Sequence, residues 1–270
     1  MPPPVYWNGR FSSGPVWNEY LSLLLNFDLA NHAVGMAKSE TIHRKILNII
    51  PLDPPTTQDQ IFEFATNLQL GNVPPPNPAM DIAVLEIGSN DANAAFVEVS
   101  EGLLTIYEFA QMLSDIVVEQ LQSLSDLGFR KILVTNLPAL QHAPIVKSKG
   151  RARPLVSKAL GVTDTETYCV GGSWINLFND HLYFTDFMKY LVSSDSNIAL
   201  CNDPGTKFFW DPVHPSERVH RLFAYHIYYT LLPMVSSKID LETYEPSERS
   251  LIELIKKYRL DKPAPKPALI

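Results

Sequence analysis

The chain has 270 residues, of which 46% are hydrophobic and 19% charged, a composition typical of a globular protein with a substantial core. The formal net charge of -7 argues against nucleic-acid binding, which depends on clustered Lys and Arg. No apolar run approaches the roughly 18 residues that span a bilayer, and the N-terminal residues lack the pattern of a signal peptide. The sequence therefore predicts one globular domain, without a nucleic-acid partner, a membrane span or a signal peptide in this chain.

Helical and strand-like apolar patterns alternate along the chain. This alternation predicts an α/β domain whose parallel strands are joined by crossover helices. We expect that domain over 1–235, followed by a C-terminal helix and a Pro/Lys-rich tail over 236–270. The predicted elements, in chain order, are a helix over 16–25, a short apolar strand over 32–34, a helix over 57–70, a strand over 81–87, a helix over 103–127, a strand over 131–136 and helices over 173–189 and 220–232.

The two cysteines, Cys169 and Cys201, leave two interpretations open. They form one disulfide in an oxidising compartment, or they are two buried thiols in a reducing one. Neither lies in a Cys-x-x-Cys motif or a Cys/His cluster, so the sequence predicts no zinc site. We also expect no cofactor.

Three polar clusters follow the predicted strands or an aromatic run: Gly35, the 88–91 segment and the 211–214 segment. In open parallel α/β sheets, ligands bind at the carboxyl ends of the strands. In the third cluster Asp211 precedes His214 by three residues, so the carboxylate can orient the imidazole as a general base. Each cluster alone also has a structural explanation, as a strand end, a turn or a helix cap with a surface histidine. Their order and their phase with the strands make the functional interpretation stronger.

Four segments of the sequence resemble the motifs of one enzyme family, the GDSL or SGNH hydrolases. The segment 6–17, Tyr-Trp-Asn-Gly-Arg-Phe-Ser-Ser-Gly-Pro-Val-Trp, is similar to the stretch that follows the first motif. The segments 31–37, 87–91 and 210–215 resemble the second, third and fifth motifs in order. The resemblance extends from about Tyr6 to about Leu232. It implies a flavodoxin-like three-layer α/β/α fold with a parallel sheet.

The resemblance also implies a reaction, the hydrolysis of carboxylic esters of lipids or acetylated glycans, without a cofactor. A serine would attack the ester carbonyl, with His214 as general base and Asp211 orienting its imidazole. The backbone N–H of Gly35 and the side chain of Asn90 would stabilise the oxyanion. The resemblance implies secretion as well.

The family's first motif, an apolar strand ending in Gly-Asp-Ser, has no counterpart in the 270 residues. The chain contains no Gly-Asp-Ser and no Gly-x-Ser-x-Gly, and Ser12, Ser13 and Ser173 do not match the nucleophile. The missing strand lies inside the family's sheet. Losing its buried side chains removes a burial energy comparable with the whole net stability of a domain.

Three explanations of this absence stay open. The chain is a truncated gene model or a fragment of an active esterase, which would also remove a signal peptide. Alternatively, it is a pseudoenzyme that binds an acyl or glycan ligand, or it uses another group, such as a metal held by Asp211, His214 and His220. The aromatic residues Tyr6, Trp7 and Trp17 are candidates for lining the pocket, although core packing is the commoner role at a helix start.

Overall fold

The computed structural model describes residues 6–40, 54–137, 158–162, 164–170, 200–211, 213–235 and 244–264. The chain divides into two compact units, one formed by Met1–Leu29 with Gln141–Ile270 and the other by Ala30–Leu140. Among the described residues, none of the helices is both long and apolar enough to cross a membrane. The elements are α1 (Trp17–Leu25), α2 (Thr57–Gln69), β1 (Ala83–Leu85), α3 (Ser89–Ser100), α4 (Ile106–Asp126), β2 (Ile132–Val134), β3 (Asp164–Tyr168), β4 (Lys207–Phe209), α5 (Glu217–Val235) and α6 (Glu248–Tyr258).

The unit Ala30–Leu140 contains a parallel pair of strands, β1 and β2, in register from Ala83 opposite Ile132. Both strands are shorter than the sequence predicts. Helix α4 packs against α2 and α3. Helix α2 begins with a capping box, in which the Thr56 hydroxyl accepts from the Asp59 N–H and the Asp59 carboxylate accepts from the Thr56 N–H.

Helix α3, which the sequence analysis did not predict, begins within the 88–91 segment. The carbonyl of Gly88 accepts a hydrogen bond from the Ala92 N–H at 2.9 Å, so the chain passes directly from β1 into α3. Gly88 has a φ of 111°, and a Cβ there would lie 2.7 Å from the Leu137 side chain. Gly, Ser, Asn and Asp favour helix starts as well as turns, so composition alone does not separate the two. Asn90 therefore lies in the first turn of a helix.

The short strand predicted over 32–34 is wrong, because these residues are irregular and exposed. The Asn31 side chain accepts a hydrogen bond from the Ala33 N–H at 3.1 Å, which bends the backbone locally. A single extended segment also needs a neighbouring strand to satisfy its backbone groups. The predicted helix over 173–189 lies outside the described residues.

The other unit contains the parallel pair β3 and β4, with α5 packed against α1 and α6. Helix α5 receives a cap from a distant part of the chain, because the Ser13 hydroxyl accepts from the Glu217 N–H at 3.0 Å. This bond joins the loop before α1 to the start of α5. The buried core between α5 and α6 consists of Leu160, Val162, Leu222, Ile255 and Leu260.

Cys169 and Cys201 form a disulfide, which selects one of the two alternatives left open by the sequence. Cys169 lies fully buried in a cluster with Tyr6, Val170 and Trp210. The N–H groups of Cys169 and Val170 both donate to the carbonyl of Trp210, at 3.0 and 2.7 Å. The disulfide therefore stabilises the backbone immediately before Asp211.

We expect the double substitution Cys169→Ala with Cys201→Ala to lower the free energy of unfolding by about 2–5 kcal/mol. The bond joins residues 32 positions apart, so its removal gives the unfolded chain more freedom. Urea unfolding with and without reductant measures the effect. Reductant should destabilise the parent and leave the double variant unchanged. Equal unfolding curves for the oxidised parent and the variant would contradict this expectation.

Candidate active site

The carboxylate of Asp211 is fully buried and accepts four hydrogen bonds from the described residues. Its Oδ1 accepts from the backbone N–H groups of Val213 and His214, at 2.8 and 2.7 Å. Its Oδ2 lies 2.7 Å from the Tyr6 hydroxyl and 2.6 Å from Nδ1 of His214. A buried charge of this kind is tolerated only when its acceptor positions are filled, as they are here.

His214 is oriented by contacts on two sides of its ring. Because the ionised carboxylate of Asp211 only accepts, we assign the proton of the neutral imidazole to Nδ1, which leaves Nε2 as a free base. The ring of Phe11 stacks on the imidazole, with 4.8 Å between ring centroids and 20° between planes. The His214 side chain is 41% exposed, whereas that of Asp211 is 0% exposed. This Asp211–His214 pair, called the dyad below, thus has a buried carboxylate and an accessible base.

The backbone around the dyad closes into a tight loop. The Trp210 N–H donates to the His214 carbonyl at 2.7 Å, while the Asp211 carboxylate receives the two N–H groups that follow it. An aspartate that accepts from backbone groups two and three residues later is a common turn-forming residue. The three-residue spacing therefore folds locally, without help from a helix. Pro212, within this loop, lies outside the described residues.

Two opposing effects act on the pKa of Asp211. Burial is the largest and raises it, but the charge of His214 together with the hydrogen bonds from His214 and Val213 outweighs burial. The pKa of Asp211 is therefore below its ordinary value. The carboxylate is ionised at neutral pH, as an orienting group for an imidazole must be.

Gly35 and Asn90 both belong to the other unit, where the structure links their segments. Residues Val34 to Ala37 form a turn closed by a bond from the Ala37 N–H to the Val34 carbonyl, with Met36 at a φ of 69°. Nδ2 of Asn90 donates to the Ala37 carbonyl at 2.8 Å. The amide has a second N–H, which has no acceptor among the described residues, and Asn90 is exposed.

A buried polar network holds this turn in place. The Asp91 carboxylate accepts from the backbone and the hydroxyl of Ser39, the hydroxyl at 2.6 Å. The Ser39 carbonyl accepts from Nε2 of Gln120 at 2.8 Å, and Oε1 of Gln120 accepts from the Thr57 hydroxyl at 2.9 Å. Helices α2, α3 and α4 thus fix the segment that follows Gly35. The sequence analysis missed Ser39, Thr57 and Gln120, which have no motif and meet only after folding.

The serines considered from the sequence have structural contacts in the described part of the chain. Ser13 caps α5, and the fully buried Ser12 accepts from the Gly14 N–H at 3.4 Å. Among the described residues, no hydroxyl is hydrogen-bonded to Nε2 of His214. Ser173 lies outside the described residues.

The metal alternative, with Asp211, His214 and His220 as ligands, finds no support in the described residues, which contain no group of three potential ligands around one point. Nε2 of His220 is buried and has no hydrogen-bond partner among the residues that the structure describes. Burial, with a smaller effect from the charge of His214, lowers the pKa of His220 to about 3. His220 is therefore a neutral packing residue of α5 at ordinary pH.

The structure thus joins the predicted site residues in two pairs, each within its own unit. Asp211 contacts His214 directly, and Asn90 contacts the turn that contains Gly35. A common cavity for both pairs stays a prediction. Tyr6 and Phe11, which contact the dyad, were not predicted as site residues, although Tyr6 was considered as a pocket aromatic.

An ionised aspartate that orients an accessible histidine is the arrangement expected of the acid–base pair in a hydrolase that uses a hydroxyl nucleophile. The sequence matches the GDSL-like lipase/acylhydrolase family over residues 4–227, so the chain belongs to this family. It is 26% identical over 257 residues to the thermolabile hemolysin of Vibrio parahaemolyticus serotype O3:K6 (strain RIMD 2210633), covering 83% of this chain and 56% of the hemolysin. It is 23% identical over 282 residues to the phosphatidylcholine-sterol acyltransferase of Aeromonas hydrophila, covering 80% of this chain and 78% of that protein.

We expect His220→Leu to reduce the acid sensitivity of folding. The folded pKa of about 3 lies below the unfolded value of about 6.5, so the unfolded chain binds more protons between these limits. The contribution of His220 to stability is complete above pH 6.5 and is lost as the pH falls towards 3, by at most about 1.4 kcal/mol per pH unit. Urea unfolding from pH 7.5 to 4 measures this slope.

The control for loss of one histidine is His32→Gln, because His32 is exposed and lies in the other unit. The difference between parent and His220→Leu should grow in favour of the variant as the pH falls. Parallel curves for the parent and His220→Leu would show that burial of a neutral His220 does not cause the acid sensitivity.

Proposed function

We propose that this chain carries the acid–base part of a lipid-directed carboxylic-ester hydrolase, whose nucleophilic serine is supplied by a segment joined to the N-terminal side of Tyr6. The dyad carries this proposal, since a buried ionised Asp211 leaves Nε2 of His214 free to accept a proton. We further propose the family's three-layer α/β/α arrangement, of which the parallel pairs β1–β2 and β3–β4 would be parts.

In the proposed reaction, Nε2 of His214 takes the proton of the serine hydroxyl as the serine oxygen attacks the ester carbonyl. The resulting oxyanion accepts hydrogen bonds from the free N–H of Asn90 and the backbone N–H of Gly35. His214 then gives its proton to the leaving alcohol, and the same steps with water release the carboxylic acid. Asp211 stays ionised throughout and stabilises the imidazolium.

Two observations support an N-terminal source of the nucleophile. The Tyr6 hydroxyl bonds to Asp211, so a segment joined before Tyr6 starts beside the dyad. The sheet formed by β1 and β2 leaves apolar side chains uncovered, with Val84 43% and Val134 41% exposed. An additional apolar strand paired at an edge of this sheet would place its own side chains beside these residues on both faces and reduce their exposure.

The substrate we propose is a lipid acyl ester rather than an acetylated glycan. Val34 and Met36, on either side of Gly35, are each 39% exposed and offer apolar surface beside the proposed oxyanion donor. A sugar would need hydrogen-bonding groups in this position. The names of the two relatives, a hemolysin and a phosphatidylcholine-sterol acyltransferase, also favour a lipid. The chain spans about 56% of the hemolysin's length, so the activity of the whole protein is part of the proposal.

We also propose secretion, which the Cys169–Cys201 disulfide supports.

The 270-residue chain should show no stoichiometric labelling by a fluorophosphonate. This reagent reacts with an activated serine, and the chain contains no match to the family's nucleophile motif. Intact-mass spectrometry of the treated protein measures the labelled fraction, with a known serine esterase as positive control. One label per chain at a serine near His214 would overturn the proposed inactivity.

Restoring the missing motif should restore activity. A chain extended before Tyr6 by a family segment that contains an apolar strand and Gly-Asp-Ser should hydrolyse short acyl esters and release fatty acid from phosphatidylcholine vesicles. In this extended chain, Asn90→Ala should lower kcat by roughly 100- to 1000-fold, the usual cost of one oxyanion donor. Fatty-acid release and ester turnover are measured in parallel with acetate release from acetylated xylan.

The controls for the extended chain are His214→Ala and a serine-to-alanine change in the added motif, both of which should abolish turnover. A folded extended chain that releases only acetate from xylan contradicts the lipid substrate, and one that releases nothing contradicts the fragment explanation. The pseudoenzyme alternative then predicts that a fatty acid or oligosaccharide raises the Tm of the 270-residue chain and that His214→Ala changes this shift.

A further inference from the structure

The hydroxyl of Tyr6 shares one carboxylate oxygen with the catalytic histidine. It donates to Oδ2 of Asp211 at 2.7 Å, and Nδ1 of His214 lies 2.6 Å from the same oxygen. The other oxygen, Oδ1, receives backbone N–H groups alone from the part of the chain that the structure describes. Tyr6 therefore provides the second side-chain donor to the carboxylate that orients His214.

Tyr6 is held rigidly in this position. Its side chain is buried with Cys169, Val170 and Trp210, and its ring packs edge-on against Phe11 with 5.4 Å between centroids. Phe11 in turn stacks on the imidazole of His214. The two aromatic residues thus contact both members of the dyad from one short segment.

Further contacts anchor the N-terminal segment that carries Tyr6 and Phe11. The Trp7 N–H donates to the Ser12 carbonyl at 2.9 Å, and Ser13 caps α5. The Arg10 guanidinium lies 2.6 Å from the Glu19 carboxylate of α1. A donor fixed in this way needs no reorganisation to reach Asp211, which is the condition for effective electrostatic preorganisation.

We propose that Tyr6 is a positioning residue of the dyad: its hydroxyl holds the Asp211 carboxylate in the plane and charge state that orient His214. Without this bond, Oδ2 loses one of its two donors in a buried site, and the carboxylate becomes both more basic and freer to rotate. Because Oδ2 interacts with both Tyr6 and His214, the two groups share the hydrogen-bonding capacity of this charged oxygen. Tyr6 therefore sets how strongly Asp211 attracts the imidazole proton.

The test is NMR spectroscopy of the 270-residue chain with Tyr6→Phe, a substitution that keeps the ring and removes the hydroxyl. The pKa of Asp211, followed by the ¹³C signal of its carboxyl group, should rise by roughly 1 unit. The downfield proton signal of Nδ1–H in His214 should shift as its hydrogen bond to Asp211 changes. A role in packing alone would move neither signal.

The matched control is Tyr20→Phe, which removes another short bond between a tyrosine and a carboxylate, from Tyr20 to Glu217 at 2.6 Å. It should leave the Asp211 carboxyl titration unchanged. An unchanged titration in a folded Tyr6→Phe protein overturns the proposal. If Tyr6→Phe does not fold, the test is made on the unmodified chain. The proposal requires its Tyr6 hydroxyl proton to exchange slowly with solvent, and the absence of a slowly exchanging proton contradicts the proposal.

This inference deepens the proposed function, since positioning matters for catalysis only if His214 acts as a base. The NMR test does not depend on turnover, so it tests the positioning role of Tyr6 separately from the proposed hydrolase function. A shifted Asp211 titration with an inactive extended chain would support Tyr6 and contradict the hydrolase. In an active extended chain, Tyr6→Phe should lower kcat and shift the acid limb of its pH profile while leaving KM nearly unchanged.

Discussion

The local structure around the dyad depends on one constraint: a buried carboxylate must have its acceptor positions filled. Asp211 meets this constraint with two backbone N–H groups, a tyrosine hydroxyl and an imidazole. The backbone donors require the tight loop that ends at His214, and the side-chain donors require the N-terminal segment to lie against that loop. A single buried charge thus determines the arrangement of residues about 200 positions apart in the sequence.

Three kinds of contact hold this loop in place: a disulfide, backbone hydrogen bonds and a helix cap. The disulfide and the N–H groups of Cys169 and Val170 hold the carbonyl of Trp210, while Ser13 connects the N-terminal segment to α5. The same principle operates in the other unit, where Asp91 accepts both hydrogen bonds that Ser39 can donate. In both units, a buried aspartate fixes the segment next to a residue of proposed catalytic function.

How much the sequence could predict depends on how local each feature is. Asp211 and His214 are three residues apart, so their contact follows from turn geometry alone. The turn after Gly35 depends on Gln120, which is 81 residues beyond Ser39, and no periodicity signals such a contact. Helix α3 was not predicted, because Gly-Ser-Asn-Asp suits a turn and a helix start equally well. The strand over 32–34 was wrongly predicted because apolar residues form a strand only beside a partner.

The geometry of the dyad favours the interpretation of this chain as part of a catalyst over that of a site kept only for stability. A buried carboxylate needs donors at Oδ2 as well, but any hydrogen-bond donor would meet that need, and a 41% exposed imidazole contributes little burial. Orienting that imidazole instead requires two aromatic residues of the N-terminal segment, one on each member of the dyad. Ordering two aromatic side chains in this way is useful when Nε2 of His214 must accept a proton from a fixed direction. The same segment would lead directly to that donor in the proposed complete enzyme.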